Sequence, residues 1–398
     1  MDKVEVIEDI TEEESIVLDK YKKIVDDAES VSELESDIKK LKEEPIYSEI
    51  KDSKENINLE DSIEEINKRL PITSIEEYEN KIKAEKEGLH TGIKALEENG
   101  ILIPSKAVTL IAGRPGHGKT AVMLNMLINQ VQKYPDKTFY FFSYELPKEH
   151  ILIRILNIMC QTTFSDNEED RGNNNIYIKN WIKMDKLPKE NPLTLNYEKI
   201  EDYIAKGRLR IFDNRDMDSG TLKEKILLED EEKIGAVYLD YIQVIKSRDK
   251  DKKSFDKKDD ISRVCDDILN LAIGTGASII CGAQLNRDSK NEDSIYLHHL
   301  KDCGVLEQFC DLCIGLFNHA DTFDKEESCS RFDFKILKNR YGGIGESTSS
   351  KTLFHGPSNH IRDLITDGTT IINKEPENGK TTSNLSIEEM NAAIKAAK

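Results

Sequence analysis

The sequence predicts an α/β fold with a mostly parallel central sheet, preceded by a small acidic helical region. Three observations carry that prediction. From Gly88 onward, β-type apolar runs alternate with helical stretches, the pattern of a parallel sheet covered on both faces. One strand-to-helix turn, Gly113-Arg114-Pro115-Gly116-His117-Gly118-Lys119-Thr120, has the form G-x-x-x-x-G-K-[ST] of a phosphate-binding loop. Composition also changes at Gly88, because residues 1–87 contain no glycine and are rich in Glu, Lys, Asp, Ser and Ile.

The chain has 398 residues and a formal net charge of −19. The charge is uneven: residues 1–87 carry −14 and residues 88–398 only −5. So acidic a chain argues against a general nucleic-acid coat, but it permits DNA held by a few basic loops inside an oligomer. There is no signal peptide and no apolar run long enough to span a membrane, so no membrane role is expected. Seven cysteines, an odd number, beside a nucleotide motif suggest a reducing cytoplasm. Cys310 and Cys313 form a lone C-x-x-C at the edge of an apolar run and are expected to be buried thiols rather than zinc ligands.

Taken in order, residues 1–70 form an acidic region with helical stripes at Val17, Tyr21, Ile24, Ala28, Val31, Ile38 and Leu41, then at Leu59, Ile63, Ile66 and Leu70. Residues 43–58 break the pattern around Pro45, and Pro71 ends it. Residues 71–87 read as a linker helix. Ser74-Ile75-Glu76-Glu77 resembles a capping box, and Ile75, Tyr78 and Ile82 form a narrow stripe. That stripe is either a solvated face or an edge that docks on another subunit. Residues 88–364 hold the α/β domain, with strands expected at 107–112, 138–143, 209–212, 236–239, 277–282, 312–317 and 332–337. Asn339-Arg340-Tyr341-Gly342-Gly343 is a hairpin signal. Residues 365–398 read as a polar tail with a short helical end at 386–398.

The chemistry concentrates at strand ends. In the Gly113–Thr120 loop, glycines let backbone N–H groups close around a polyphosphate, and the helix beginning near Ala121 adds its dipole. Lys119 is expected on the β- and γ-phosphates of ATP, and the Thr120 hydroxyl on Mg²⁺. Glu145 follows the 138–143 run and could activate a water. Asp240 ends the 236–239 run, where an acid can hold Mg²⁺. Gln284 follows the 277–282 run and could report on the γ-phosphate. Each is a weak signal alone, but four in one chain order are not easily chance.

Gly88-Leu89-His90-Thr91-Gly92, the phosphate loop, Phe142 to Glu149, Leu239-Asp240-Tyr241-Ile242-Gln243, Ile261-Ser262-Arg263, Gln284-Leu285-Asn286-Arg287, Leu300 to Asp311 and Lys338-Asn339-Arg340 occur in that order. In these motifs the region from Gly88 to about Leu364 resembles the motor domain of DnaB-type hexameric replicative helicases, a RecA-like family. The resemblance implies a RecA-like P-loop core, ATP and Mg²⁺ as cofactors, single-stranded DNA as track, and a homo-oligomeric, six-membered ring moving 5′ to 3′. It implies nucleotide contacts from Gly113 to Ala121, metal ligation by Thr120 and Asp240, catalysis by Lys119 and Glu145, and γ-phosphate sensing by Gln284. Lys338 and Arg340 would act in trans, on ATP held by a neighbouring subunit. His117 stands where the family usually has an apolar or small residue, and Lys301 where it often has Arg.

Two loops would face a central channel. Lys246 to Asp260 carries seven Lys or Arg residues and five Asp, with Lys246 and Arg248 nearest the sheet. Asn286 to Leu300 contributes Arg287 and Lys290, with Lys301 just beyond. A few cations per subunit, repeated around a ring, can track a phosphate chain without reading bases. The leading expectation is an ATP-driven ring helicase on single-stranded DNA. Two others remain: a RecA-like DNA-stimulated ATPase that does not unwind, acting as a recombination mediator, switch or defence ATPase, and a platform recruiting a loader or a replication or phage partner through residues 1–87. The usual N-terminal collar of the family is longer than residues 1–87, so primase binding does not carry over.

Overall fold

Each long strand places alternate side chains in two separate cores, which explains why the runs are apolar throughout rather than alternating. In β4 (Ile234–Asp240), Ala236 and Tyr238 face one core while Val237 and Leu239 face the other. In β2 (Thr138–Ser143), Phe139 and Phe141 oppose Tyr140 and Phe142 in the same way. The computed structural model describes residues 40, 88–161, 174, 178–179, 182–183, 192–231, 233–248, 257–286, 295–300, 303–324, 328–342, 352–363, 365–366 and 371–372. The expected helices of residues 1–87, apart from Lys40, and the helical end at 386–398 lie outside the described residues. The chain divides into two units, Met1–Glu85 and Lys86–Lys398.

The second unit is built on a nine-stranded sheet in the order β3-β2-β4-β5-β1-β6-β7-β8-β9. β1 is Ala107–Gly113, β3 Leu209–Phe212, β5 Ser278–Gln284 and β6 Leu312–Asp324. β7 is Cys329–Asn339, β8 Thr352–His355 and β9 His360–Asp363. β1 to β6 pair in parallel, and β6 to β9 in antiparallel fashion. A short helix, α1 (Lys94–Glu97), precedes the sheet. One face carries α2 (Lys119–Lys133), α3 (Lys148–Cys160) and α4 (Pro192–Ala205); the other carries α5 (Ser219–Leu227), α6 (Lys257–Thr275) and α7 (Cys303–Phe309).

All seven expected strands are present, and several run further than their apolar cores. β6 continues to Asp324 because its polar half finds partners on β7. There Ser330 Oγ donates to Asn318 Oδ1 at 2.6 Å, and His319 Nε2 lies 2.6 Å from Asp333 Oδ2. The register of β7 and β8 sets Cys329 opposite His355 and Arg331 opposite Leu353, so the two strands pair in antiparallel fashion, and the segment that joins them begins inside the expected 339–343 turn. Helix α2 is buried nearly all round, beyond the expected face of Val122, Met123, Met126 and Leu127. The polar tail opens with one further ladder, β10 (Ile365–Thr366) against β11 (Ile371–Ile372). The Asp367-Gly368 pair between them is a hairpin signal that a reading of the tail as polar passes over.

The Gly88–Gly92 entry is a docking segment. Leu89 and Ile103 exchange two 2.8 Å backbone bonds. Gln130 of α2 donates to His90 O at 2.9 Å and accepts from Tyr238 Oη at 2.7 Å, so these polar groups are satisfied inside the core.

Candidate nucleotide site

The carboxyl ends of four parallel strands meet at one edge. Gly113 of β1 is in register with Gln284 of β5, and Ser143 of β2 with Asp240 of β4. Ligands of open α/β sheets bind outside this edge. The loop Gly113–Thr120 turns from β1 into α2 here, with Gly116 at φ +80° and Gly118 at φ +84°. Gly118 meets a second constraint, since a Cβ there would sit 3.2 Å from the Phe332 ring of β7. Only glycine combines that conformation with that approach.

Lys119 Nζ donates to the carbonyls of Gly113 and Arg114, both at 3.1 Å. Burial lowers its pKa, and the nearby Asp240 and Glu145 carboxylates oppose that shift. Thr120 Oγ1 donates to Asp240 Oδ2 at 2.8 Å. Asp240 is 1% exposed. Its pKa is raised, chiefly by burial and then by Glu145, while the Thr120 bond, Lys119 and Arg154 pull it down. Gly282 keeps room for this carboxylate: a Cβ there would lie 3.2 Å from Asp240 Oδ1. Glu145 is exposed, one residue past Tyr144, whose N–H donates to Asp240 O at 2.9 Å. Arg215 holds the Glu145 backbone carbonyl.

A hydroxyl and a buried carboxylate side by side at a helix N-terminus are hard oxygen donors. They suit Mg²⁺, which takes one or two protein ligands and fills its shell with phosphate and water. Among the described residues no group of three or more His, Cys, Asp or Glu side chains could hold a metal ion.

His117 turns away from the loop towards β6. Its ring meets Phe317 edge-on at 5.4 Å, and Nδ1 accepts from Asn318 N–H at 3.4 Å. Burial, followed by Arg114, Lys119 and His319, lowers its pKa. The unusual residue therefore ties the loop to the sheet, where a methionine-like side chain would only fill space.

Lys338 and Arg340 lie at the other end of the sheet. Lys338 Nζ donates to Glu307 O at 2.7 Å, and Arg340 donates to Asp311 Oδ1 at 2.7 Å and to Gln308 O at 3.1 Å. Asp311 also accepts from Val108 N–H, at the amino end of β1. Val108 and Gly113 are separated by about 16 Å of extended strand. Within one chain these cations and the phosphate loop are not brought together.

Of the expected channel residues, Lys246 is exposed. Arg248 donates to Glu224 through both terminal nitrogens and lies 3.6 Å from Asp218. Arg287, Lys290 and Lys301 lie outside the described residues. Cys310 and Cys313 are buried thiols, as expected.

Sequence reasoning missed Arg154 of α3, whose charge acts on both Asp240 and Glu145 as they act on it. A lone arginine in the apolar run Ile151 to Ile158 was its signal. It also assigned no role to Gln243, whose side chain accepts from Gln284 N–H at 3.1 Å and donates to Gln284 O at 3.3 Å. These bonds fix the backbone at the end of β5.

Fold and site together define a P-loop domain of the α/β class, with Lys119, Thr120, Glu145, Asp240 and Gln284 gathered at the carboxyl edge of a parallel sheet. The family model described as DnaB-like helicase C terminal domain matches residues 88–363, so the chain belongs to the DnaB-like helicase C-terminal domain family. A probable plasmid replicative DNA helicase of Chlamydia psittaci is 27% identical over 265 residues, 66% of this chain and 53% of that protein. The chain thus spans about half the length of such relatives. A solved ATPase domain superposes with a TM-score of 0.57 at 22% identity, covering 74% of this chain and all of that one. A DnaB-like replicative helicase, solved in a study of its interactions with primase, gives 0.54 at 18% identity, covering 88% and 75%. These two likenesses establish a shared RecA-like fold. Among the described residues no helix is long and apolar enough to cross a membrane.

Proposed function

We propose that this chain is an ATP-driven DNA helicase subunit that hydrolyses ATP with Mg²⁺ between copies of itself in a ring, and moves on single-stranded DNA. The observation that carries the reading is the separation of the phosphate loop from Lys338 and Arg340. Cations held at the amino end of β1 cannot serve their own nucleotide, but a neighbouring copy can receive them. An arginine supplied across an interface stabilises the charge of phosphoryl transfer and makes hydrolysis depend on assembly.

In this scheme the backbone of Gly113–Ala121 and Lys119 bind the phosphates. Thr120 and Asp240 would hold Mg²⁺, which would supply neutralisation of the charge that develops in phosphoryl transfer. Glu145, exposed and set beside Asp240, accepts the proton of the attacking water. Gln284, its backbone clamped by Gln243, senses the γ-phosphate and leads directly into the 286–300 segment. Lys246 is the readiest DNA contact. Arg248 must first leave Glu224 to join it. Arg287, Lys290 and Lys301 complete the set.

An apolar groove of about 580 Å³ between α3 and α4, lined by Leu152, Leu156, Tyr197, Ile200 and Ile204, supports assembly. Ile204 is 45% exposed and Tyr197 38%. The stripe Ile75, Tyr78 and Ile82 of a second copy is its proposed occupant. The charged groove residues Glu149, Lys179, Lys183 and Glu201 suit a segment as rich in Glu and Lys as residues 71–87.

Mixed oligomers test the trans arrangement. Arg340→Ala and Glu145→Ala subunits are each expected to be inactive alone. Mixed, they should recover hydrolysis at interfaces that join an intact Glu145 to an intact Arg340. No recovery at any mixing ratio would refute the reading.

A further inference from the structure

The segment that follows the proposed sensor Gln284 ends in an exposed stack of rings. Tyr296 is 50% exposed, and its ring lies parallel to that of His298, with centroids 5.4 Å apart and planes 8° apart. His299 meets both edge-on, at 5.6 Å and 4.3 Å. Lys335 of β7 places Nζ 4.8 Å from the centre of the Tyr296 ring. His298 is exposed as well.

The backbone holds these rings outward. Tyr296 N–H donates to His299 Nδ1 at 3.1 Å, and His299 N–H returns a bond to Tyr296 O at 3.0 Å, closing the turn Leu297–His299. Ile295 and Leu300 flank the stack and are buried to 2% and 0% exposure. Leu300 bridges Leu285, and Asn286 N–H donates to His299 O at 2.7 Å. The stack is thereby pinned two residues beyond Gln284. Single exposed aromatic residues are common on surfaces. A parallel pair on a pinned turn with a cation over it is a more specific arrangement.

We propose that Tyr296 and His298, with Lys335, form a stacking platform for the bases of single-stranded DNA. The inference rests on the nucleic-acid reading above and adds base contact to a track otherwise held through its phosphates. Every base has a π-face, so stacking adds affinity without sequence preference, and a cation beside the rings favours the phosphate chain. Arg287 and Lys290 stand in the segment that leads into the stack, so the chain presents cations and then rings. A nucleotide-dependent shift at Gln284 would move the platform through the Asn286–His299 bond.

An abasic strand isolates the base contribution, because it keeps the phosphates and removes the π-faces. Fluorescence anisotropy of the full chain, with Mg²⁺ and a non-hydrolysable ATP analogue, should show oligothymidylate bound about tenfold more tightly than an abasic strand of equal length. The double variant Tyr296→Ala with His298→Ala should lose that advantage and leave abasic binding unchanged, whereas Tyr296→Phe should keep it. Equal binding of both strands by the unaltered chain would overturn the platform alone. An equal loss on both strands in the double variant, or a change of oligomeric state, would assign these rings to folding or to a protein interface and overturn it too. Failure to bind either strand would overturn the nucleic-acid reading, and the platform with it.

Discussion

Thr120 and Asp240 come from segments 120 residues apart, yet the hydroxyl of one donates to the carboxylate of the other at 2.8 Å. The bond joins the first turn of α2 to the end of β4 at the point where a divalent cation would be shared with phosphate. Asp240 is a buried acid whose pKa is raised, so its charge costs folding energy at neutral pH. Asp240→Asn should therefore abolish ATP hydrolysis, by more than about 100-fold, while leaving the thermal midpoint at pH 7.5 unchanged or higher. A stable variant with full hydrolysis would remove Asp240 from the metal site.

Arg154 makes a second prediction. Burial lowers the pKa of its guanidinium, and the charges of Asp240 and Glu145, beside the phosphate loop, oppose that shift. Arg154→Met keeps the apolar stem of α3 and removes the charge. Hydrolysis should fall about 10- to 100-fold, a little less than loss of a direct transition-state donor, with nucleotide affinity changed less. Equal losses in turnover and affinity would point to general damage instead.

The groove between α3 and α4 is tested by Ile204→Asp. Ile204 is 45% exposed, so the change should cost little folding stability. A carboxylate in an apolar contact is costly. The variant should dissociate to smaller species by light scattering, and Ile82→Asp should do the same. An intact ring in both variants would leave the groove without its proposed occupant.

His355, which is buried, and His360, which is half-buried, set an acid limit. The pKa of His355 is pulled down to about 3 and that of His360 to about 4, in each case chiefly by burial and next by Arg362. Unfolded, each titrates near 6.5, so below that pH the unfolded chain binds more protons. Stability is complete above about pH 6.5 and falls as the pH drops towards 4, by about 1.4 kcal/mol per pH unit for each histidine. His360→Gln should reduce the loss between pH 6.5 and 5.5 by about 1 kcal/mol in urea titrations. An unchanged slope would contradict a neutral His360 in the folded chain.

The phosphate loop, Glu145, Asp240 and Gln284 were legible because each is a local signal: an apolar strand followed by one polar residue. The parallel-to-antiparallel change was legible only in part, from the hairpin signal at 339–343. Relations between distant segments were not. Arg154 acquires its meaning only when the fold brings α3 near enough to Asp240 and Glu145 for their charges to act on it, and Gln243 only when β4 and β5 lie side by side. Arg248 read as a free channel cation because its partner Glu224 sits on α5, 24 residues away in sequence. Asp311 stood inside a recognisable motif, yet the two hydrogen bonds it accepts, from Arg340 and from Val108 N–H, need the strand order β1-β6-β7.

Strand displacement on a forked DNA duplex with ATP and Mg²⁺ tests the central claim most directly. The unaltered chain should release the displaced strand, and Glu145→Ala, which keeps the phosphate loop and the Thr120–Asp240 pair, should not. Hydrolysis by the unaltered chain without strand release, or equal release by the variant, would contradict the helicase reading.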